Sequence, residues 1–182
     1  MGNVKRNREE STMLNKKITD LLNSQINKEF YSSYLYLDMS NYYVEKNLIG
    51  FGNWFTIQSM EEHEHAMLMI KYLLNNNEKA VLEEIASPNK HYKDFKHPLE
   101  GTLEHEISIS TSINAIYAEA YALKDFRTMQ FLDWFVKEQG EEEKNANDLC
   151  KRYDLFASDP RGLYLLDAEL ATRVFQAPSL VL

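Results

Sequence analysis

The chain has 182 residues, 44% hydrophobic and 26% charged, with six glycines, four prolines and a formal net charge of −8. This balance belongs to a folded, helix-leaning chain rather than a disordered one, and its negative field repels nucleic acid and attracts cations. The single cysteine, Cys150, leaves no internal disulfide and fits a reducing, cytoplasmic setting. No segment approaches the ~18 apolar residues that a membrane span requires.

Residues 1–10, MGNVKRNREE, are polar and lack the apolar stretch of a secretion signal, so they read as a flexible arm. A first helix is predicted over about 11–45. Its inward stripe is Ile18, Leu22, Gln25, Glu29, Ser32, Tyr36 and Met39, at the three-then-four spacing of one helix face. KNLIGFG supplies a turn, with Gly50 and Gly52 as the expected breakers. A second helix follows over about 52–77 with the stripe Phe55, Gln58, Glu62, His65, Met69 and Tyr72. Met60, Met67 and Met69 read as core fillers, and His91, His97 and His105 as surface residues.

A polar stretch closed by Pro88 and Pro98 leads to a third helix over about 99–123. Its stripe is Leu99, Leu103, Glu106, Ile109 or Ser110, Ile113 and Tyr117. A corner at KDFRT opens a fourth helix over about 129–153, with Leu132, Phe135, Gln139, Glu142, Ala146 and Leu149 inward. After DLFASDPRG, a short amphipathic piece over about 163–174 makes a fifth helix, and 175–182 form an apolar tail. Four long helices without a strand pattern imply an all-α bundle in one domain over 11–174. The short connectors make the first and second, and the third and fourth, helices antiparallel. The segment between the second and third can reach up to roughly 66 Å, enough to cross the bundle and make those two helices parallel.

Each long helix carries a polar group where its stripe should be apolar: Glu29, then Glu62 and His65, then Glu106, then Gln139 and Glu142. Counted from the turns, Glu29 and Glu62 lie roughly 27 and 20 Å along the axis, and Glu106 and Glu142 roughly 30 and 24 Å. All four glutamates therefore fall near mid-bundle. Any one of them alone is more simply a misjudged face, and EEEK (141–144) alone a solvated one. Four carboxylates buried together cannot all stay ionised without protons or cations to compensate them. Oxygen and imidazole donors without a thiolate suit iron or manganese. Di-iron carboxylate bundles use single glutamates from two helices and Glu-x-x-His from two. Here the fourth helix offers Gln139-x-x-Glu142 instead, which makes the second metal position the weaker one. No CxxC, GxGxxG, P-loop or GxSxG pattern competes with this chemistry.

The segments NKEFYSSYLY, SMEEHEHAM, LEHEISIS, FLDWFVKEQGEEEK and GLYLLDAEL closely resemble the bacterial-type non-haem ferritins, over about 13–172. The resemblance implies an all-α, ferritin-like four-helix bundle with a long crossover between the second and third helices and a short fifth C-terminal helix. It implies a homo-oligomer, a 24-subunit cage, that oxidises Fe(II) with O2 or H2O2 and stores Fe(III) as an oxide-hydroxide mineral. It assigns Glu29, Glu62 and His65 to a first iron site of a di-iron centre. Glu62, Glu106 and Glu142 go to a second, with Glu62 bridging and Gln139 close by. Tyr36 and Trp134 match a tyrosine and a tryptophan beside that centre. Glu61, Glu138, Glu141 and Glu142 fall where a third, lower-affinity iron site lies. The haem-binding subfamily has a second histidine at the position of Glu142 and a methionine at that of His63, so no haem is expected. Nucleic-acid and membrane partners are not expected either.

Three rivals remain in view. A di-iron oxygenase of organic substrates needs a longer chain and a substrate cavity. A small DNA-protecting cage builds its iron site between subunits, lacks the fifth helix and carries a basic tail. An inert bundle with misphased polar residues predicts no bound iron.

Overall fold

In the computed structural model, which describes residues 13–88 and 90–182, α1 (Lys16–Glu45) begins where the Asn15 side chain accepts from the amide of Lys17. The expected arm over 1–10 lies outside the described residues. The other elements are α2 (Ile49–Asn75), α3 (His97–Ala122), α4 (Phe126–Phe156) and α5 (Pro160–Leu170), and no strand occurs among the described residues.

The turn between α1 and α2 differs from expectation. Gly50 and Gly52 break nothing; both lie inside α2. The turn is made by Asn47, whose φ of 61° is left-handed, a conformation asparagine tolerates better than most residues. The glycines are there for close approach. A Cβ on Gly50 would lie 1.7 Å from the backbone oxygen of Asp167 in α5, and one on Gly52 2.6 Å from Val44. Asn77 and Lys124, with φ of 57° and 55°, end α2 and α3 in the same way. Pro98 sits in the first turn of α3, where its missing N–H is no loss. At the head of α5, Asp159 accepts from the amides of Arg161 and Gly162, so that helix starts before the predicted 163.

Pairings across the bundle fix its directions. Ser33 bonds Ser59 and Ser40 bonds Thr56, so α1 and α2 are antiparallel. Lys17 meets Glu119 and Ser32 meets His105, so α1 and α3 are antiparallel too. Tyr117 donates to Asp133, which sets α4 against α3, and Tyr72 bonds Thr128, which sets it against α2. Hence α2 and α3 run parallel. The crossover between them lies along α1, tied in order: Asn23 to Lys79 and Val81, Asn27 to Glu84, Asp38 to Tyr92, and Tyr43 to Phe95.

The stripes predicted for α1, α2 and α4 are buried in full. That of α3 is turned slightly: Thr102 and Ile116 are buried, whereas Leu103 and Tyr117 are only half-buried. Met60 and Met67 are exposed rather than core, because they lie on the face of α2 opposite Glu62 and Met69. The apolar core comes in two parts. One packs Ile18, Leu22, Ile26, Met69, Ile113 and Phe135; the other packs Tyr36, Met39, Tyr43, Phe55, Leu99 and Leu149. A polar layer separates them, drawn from the middle of all four long helices.

Candidate metal centre

The polar layer contains Glu29, Glu62, His65, Glu106, Gln139 and Glu142, all almost fully buried. Donor atoms of Glu29, Glu62 and His65 lie within 4.8 Å of one another, the only such group of three or more among the described residues. Glu62 Oε2 is 3.4 Å from His65 Nδ1. Glu29 Oε2, both oxygens of Glu62 and His65 Nδ1 are buried without a hydrogen-bond partner. Unpaired buried acceptors cost about 1–3 kcal/mol each, so four together call for a compensating cation or proton.

Three glutamines steady the other carboxylate oxygens. Gln25 Nε2 donates to Glu29 Oε1 at 2.9 Å, Gln58 Nε2 to Glu142 Oε2 at 2.8 Å, and Gln139 Nε2 to Glu106 Oε2 at 3.1 Å. Tyr36 OH donates to the remaining oxygen of Glu106. Glu106 is thus turned toward Tyr36 and Gln139, and it stands outside the three-residue group, as does Glu142. Gln25 and Gln58 both lie on the predicted stripes; Gln25 meets Glu29 one turn along α1, an i, i+4 pair, whereas Gln58 reaches Glu142 only through the α2–α4 packing.

Burial dominates the electrostatics. Desolvation, partly offset by the Gln25 amide, pushes Glu29 up to about 7. Desolvation and the charge of Glu106 push Glu142 up to about 8. Desolvation, then Glu106, Glu29 and Glu142, raise Glu62 well above the carboxylate range. Burial also raises Glu106, against the Tyr36 and Gln139 hydrogen bonds. The opposite sign applies to His65, held down at about 4 and therefore a neutral imidazole. A neutral imidazole and carboxyls that give up protons on binding are the donors that a hard or borderline divalent cation takes.

Glu61, Glu138 and Glu141 are not drawn into this cluster. Glu61 is paired with Arg173 at 2.6 Å, Glu141 is exposed beside Lys137 at 3.2 Å, and Glu138 is half-buried. All three line a cleft of about 560 Å³ whose inner wall includes His65 and Glu142. Arg173 carried no motif signal. Trp134 packs edge-on to His65 with centroids 5.5 Å apart, and its Nε1 donates to Ser179. His63 is exposed and beside Glu64. His105 is half-buried rather than on the surface: its Nε2 bonds Ser32 at 2.7 Å and its ring meets Tyr31 and Tyr36.

Residues 19–156 match the model of the ferritin-like domain family. The bacterial non-heme ferritin of Campylobacter jejuni is 38% identical over 155 residues, covering 85% of this chain and 93% of that one. The open-pore ferritin of Archaeoglobus fulgidus superposes with a TM-score of 0.87 at 37% identity, over 88% of this chain and 99% of that one. A humanized archaeal ferritin gives 0.88 at 37% identity, over 90% and 99%.

Proposed function

The chain belongs to the ferritin family, and from that premise we propose that it is an iron-storage protein with ferroxidase activity, assembled into a 24-subunit cage. The observation that carries the activity is the set of buried, partnerless donor atoms on Glu29, Glu62 and His65. Iron is substrate and cargo here. Glu29, Glu62 and His65 take one Fe(II). Glu62, Glu106 and Glu142 take a second, with Gln139 beside it. Both oxygens of Glu62 lack a donor, which suits a carboxylate shared by two cations. Glu61, Glu138 and Glu141, with Glu142, make a third and weaker site on the cleft.

The protein's part is geometry and protons. Gln25 and Gln58 each hold one oxygen of a carboxylate and leave the other to the cation, whereas Gln139 and Tyr36 between them hold both oxygens of Glu106. Fe(II) displaces the protons that Glu29 and Glu142 otherwise keep near neutral pH, so uptake slows as pH falls. Tyr36 keeps its phenol proton through burial and fixes Glu106 through its hydroxyl. Dioxygen takes one electron from each of two Fe(II) ions and, with two protons, becomes hydrogen peroxide; hydrogen peroxide in its place takes the same two electrons and two protons and becomes water. Water then hydrolyses the Fe(III), releasing protons as the mineral forms.

Aerobic Fe(II) loading followed by particle mass and iron content tests this function. A cage carrying hundreds of ions supports storage, and saturation at the buried centre alone favours an oxygenase. The double variant Glu62→Ala, His65→Ala should lose fast oxidation in stopped-flow absorbance while keeping the particle mass. Unchanged oxidation kinetics would sink the assignment.

A further inference from the structure

Arg173 lies three residues beyond α5 and returns to α2, where its Nη2 donates to Glu61 Oε2 at 2.6 Å. The position is built rather than incidental. Its Nη1 donates to the carbonyl of Trp54 at 3.3 Å, and the guanidinium sits 4.8 Å from the centre of the Trp54 ring. Asn53 Nδ2 donates to the carbonyl of Arg173 at 3.1 Å and to that of Leu170 at 3.2 Å. Upstream, Asp167 accepts from the Phe51 amide at the uncapped start of α2, and α5 nests on Gly50. Downstream, residues 174 and 176–179 line the cleft, Ser179 is held by Trp134, and Leu180 and Leu182 pack against the apolar core. Arg173 and Glu61 are 23% and 18% exposed, so the pair is shielded enough to matter. The cleft beneath is bordered by His65, a buried side chain whose Nδ1 has no partner.

We infer that Arg173 is a built-in cation that occupies Glu61 and thereby sets how many metal ions the acidic cleft accepts. This rests on the ferroxidase function proposed above and adds a selectivity residue to it. A guanidinium stays charged at any working pH, and here an aromatic face and two carbonyl clamps hold its chain in place. A divalent ion entering the cleft must therefore displace it from Glu61. Without Glu61 the cleft offers Glu138, half-buried, Glu141, exposed beside Lys137, and Glu142, which the buried centre also uses. The buried centre fills first, and the cleft fills only after Arg173 swings out.

The test is calorimetric titration of assembled, metal-free protein with Zn(II), a redox-inert probe. At the Zn(II) concentration that just fills the buried centre of the natural protein, Arg173→Gln, which keeps a hydrogen-bonding amide and loses the charge, should hold one ion more per chain. The extra ion should vanish again in Arg173→Gln, Glu61→Gln. Equal stoichiometry in the natural protein and Arg173→Gln at that concentration overturns the inference, and so does an extra ion that survives the Glu61 change. The score is a difference between variants. Failure of the buried centre to bind Zn(II) in the natural protein would instead count against the proposed function.

Discussion

Gln25 stands one turn before Glu29 on the buried face of α1, accepting from Ser112 and donating to Glu29. A hydrogen bond to a charged group contributes about 1.5–3 kcal/mol, and this one stabilises the ionised form of Glu29 that a cation requires. Gln25→Leu should therefore weaken Zn(II) binding at the buried centre roughly 10–100-fold at pH 7. The deficit should shrink at pH 8.5, where a larger share of Glu29 is ionised in the variant. A deficit that does not change with pH would point to a packing defect instead. The stripe of polar residues was legible as a sequence pattern because 3.6-residue periodicity puts Glu29, Glu62, His65, Glu106 and Glu142 inward. The long-range partners were not legible: that Gln58 reaches Glu142, Gln139 reaches Glu106 and Arg173 reaches Glu61 follows from side chains meeting across the fold, unlike the i, i+4 pair of Gln25 and Glu29.

Helix ends were the least legible elements. Gly50 and Gly52 look like breakers, but each is a contact point where two helices approach too closely for a Cβ. The turn belongs to Asn47. The start of α5 was readable in principle from Asp159-Pro160, a capping residue followed by a first-turn proline. Gly50→Ala should undock α5, since the new methyl would meet the backbone of Asp167. The expected loss is about 1–3 kcal/mol, the usual cost of overpacking. It should appear as a lower melting temperature and faster proteolytic cleavage after Phe156. A variant with unchanged melting and cleavage would show that α5 has slack at this contact.

For the whole molecule, the buried glutamates link stability to pH. Carboxyls that ionise near 4.5 when unfolded hold their protons to about 7 at Glu29 and about 8 at Glu142 when folded. Between pH 6.5 and 8 the folded state therefore binds more protons than the unfolded one, and stability falls as pH rises. His65 and His105, held down at about 4, titrate in the unfolded chain near 6.5 and oppose this mainly below that pH. Metal-free protein should melt lower at pH 8 than at pH 6.5, and added Zn(II) should raise the melting temperature more at pH 8. Melting that rises with pH over this window in the metal-free state would contradict the folded-state protonation.

By itself the sequence determined the four long helices, their inward faces and the level at which the carboxylates meet, because these follow from local periodicity and counting along an axis. It allowed the crossover without requiring it, since reach alone leaves direction open. Only tertiary structure decided that α2 and α3 are parallel, through pairings of α1 with both. Only tertiary structure set the α3 face, the glutamines that hold Glu106 and Glu142, and the return of Arg173 onto Glu61. Those depend on how helices rotate and close on one another, which no local pattern encodes.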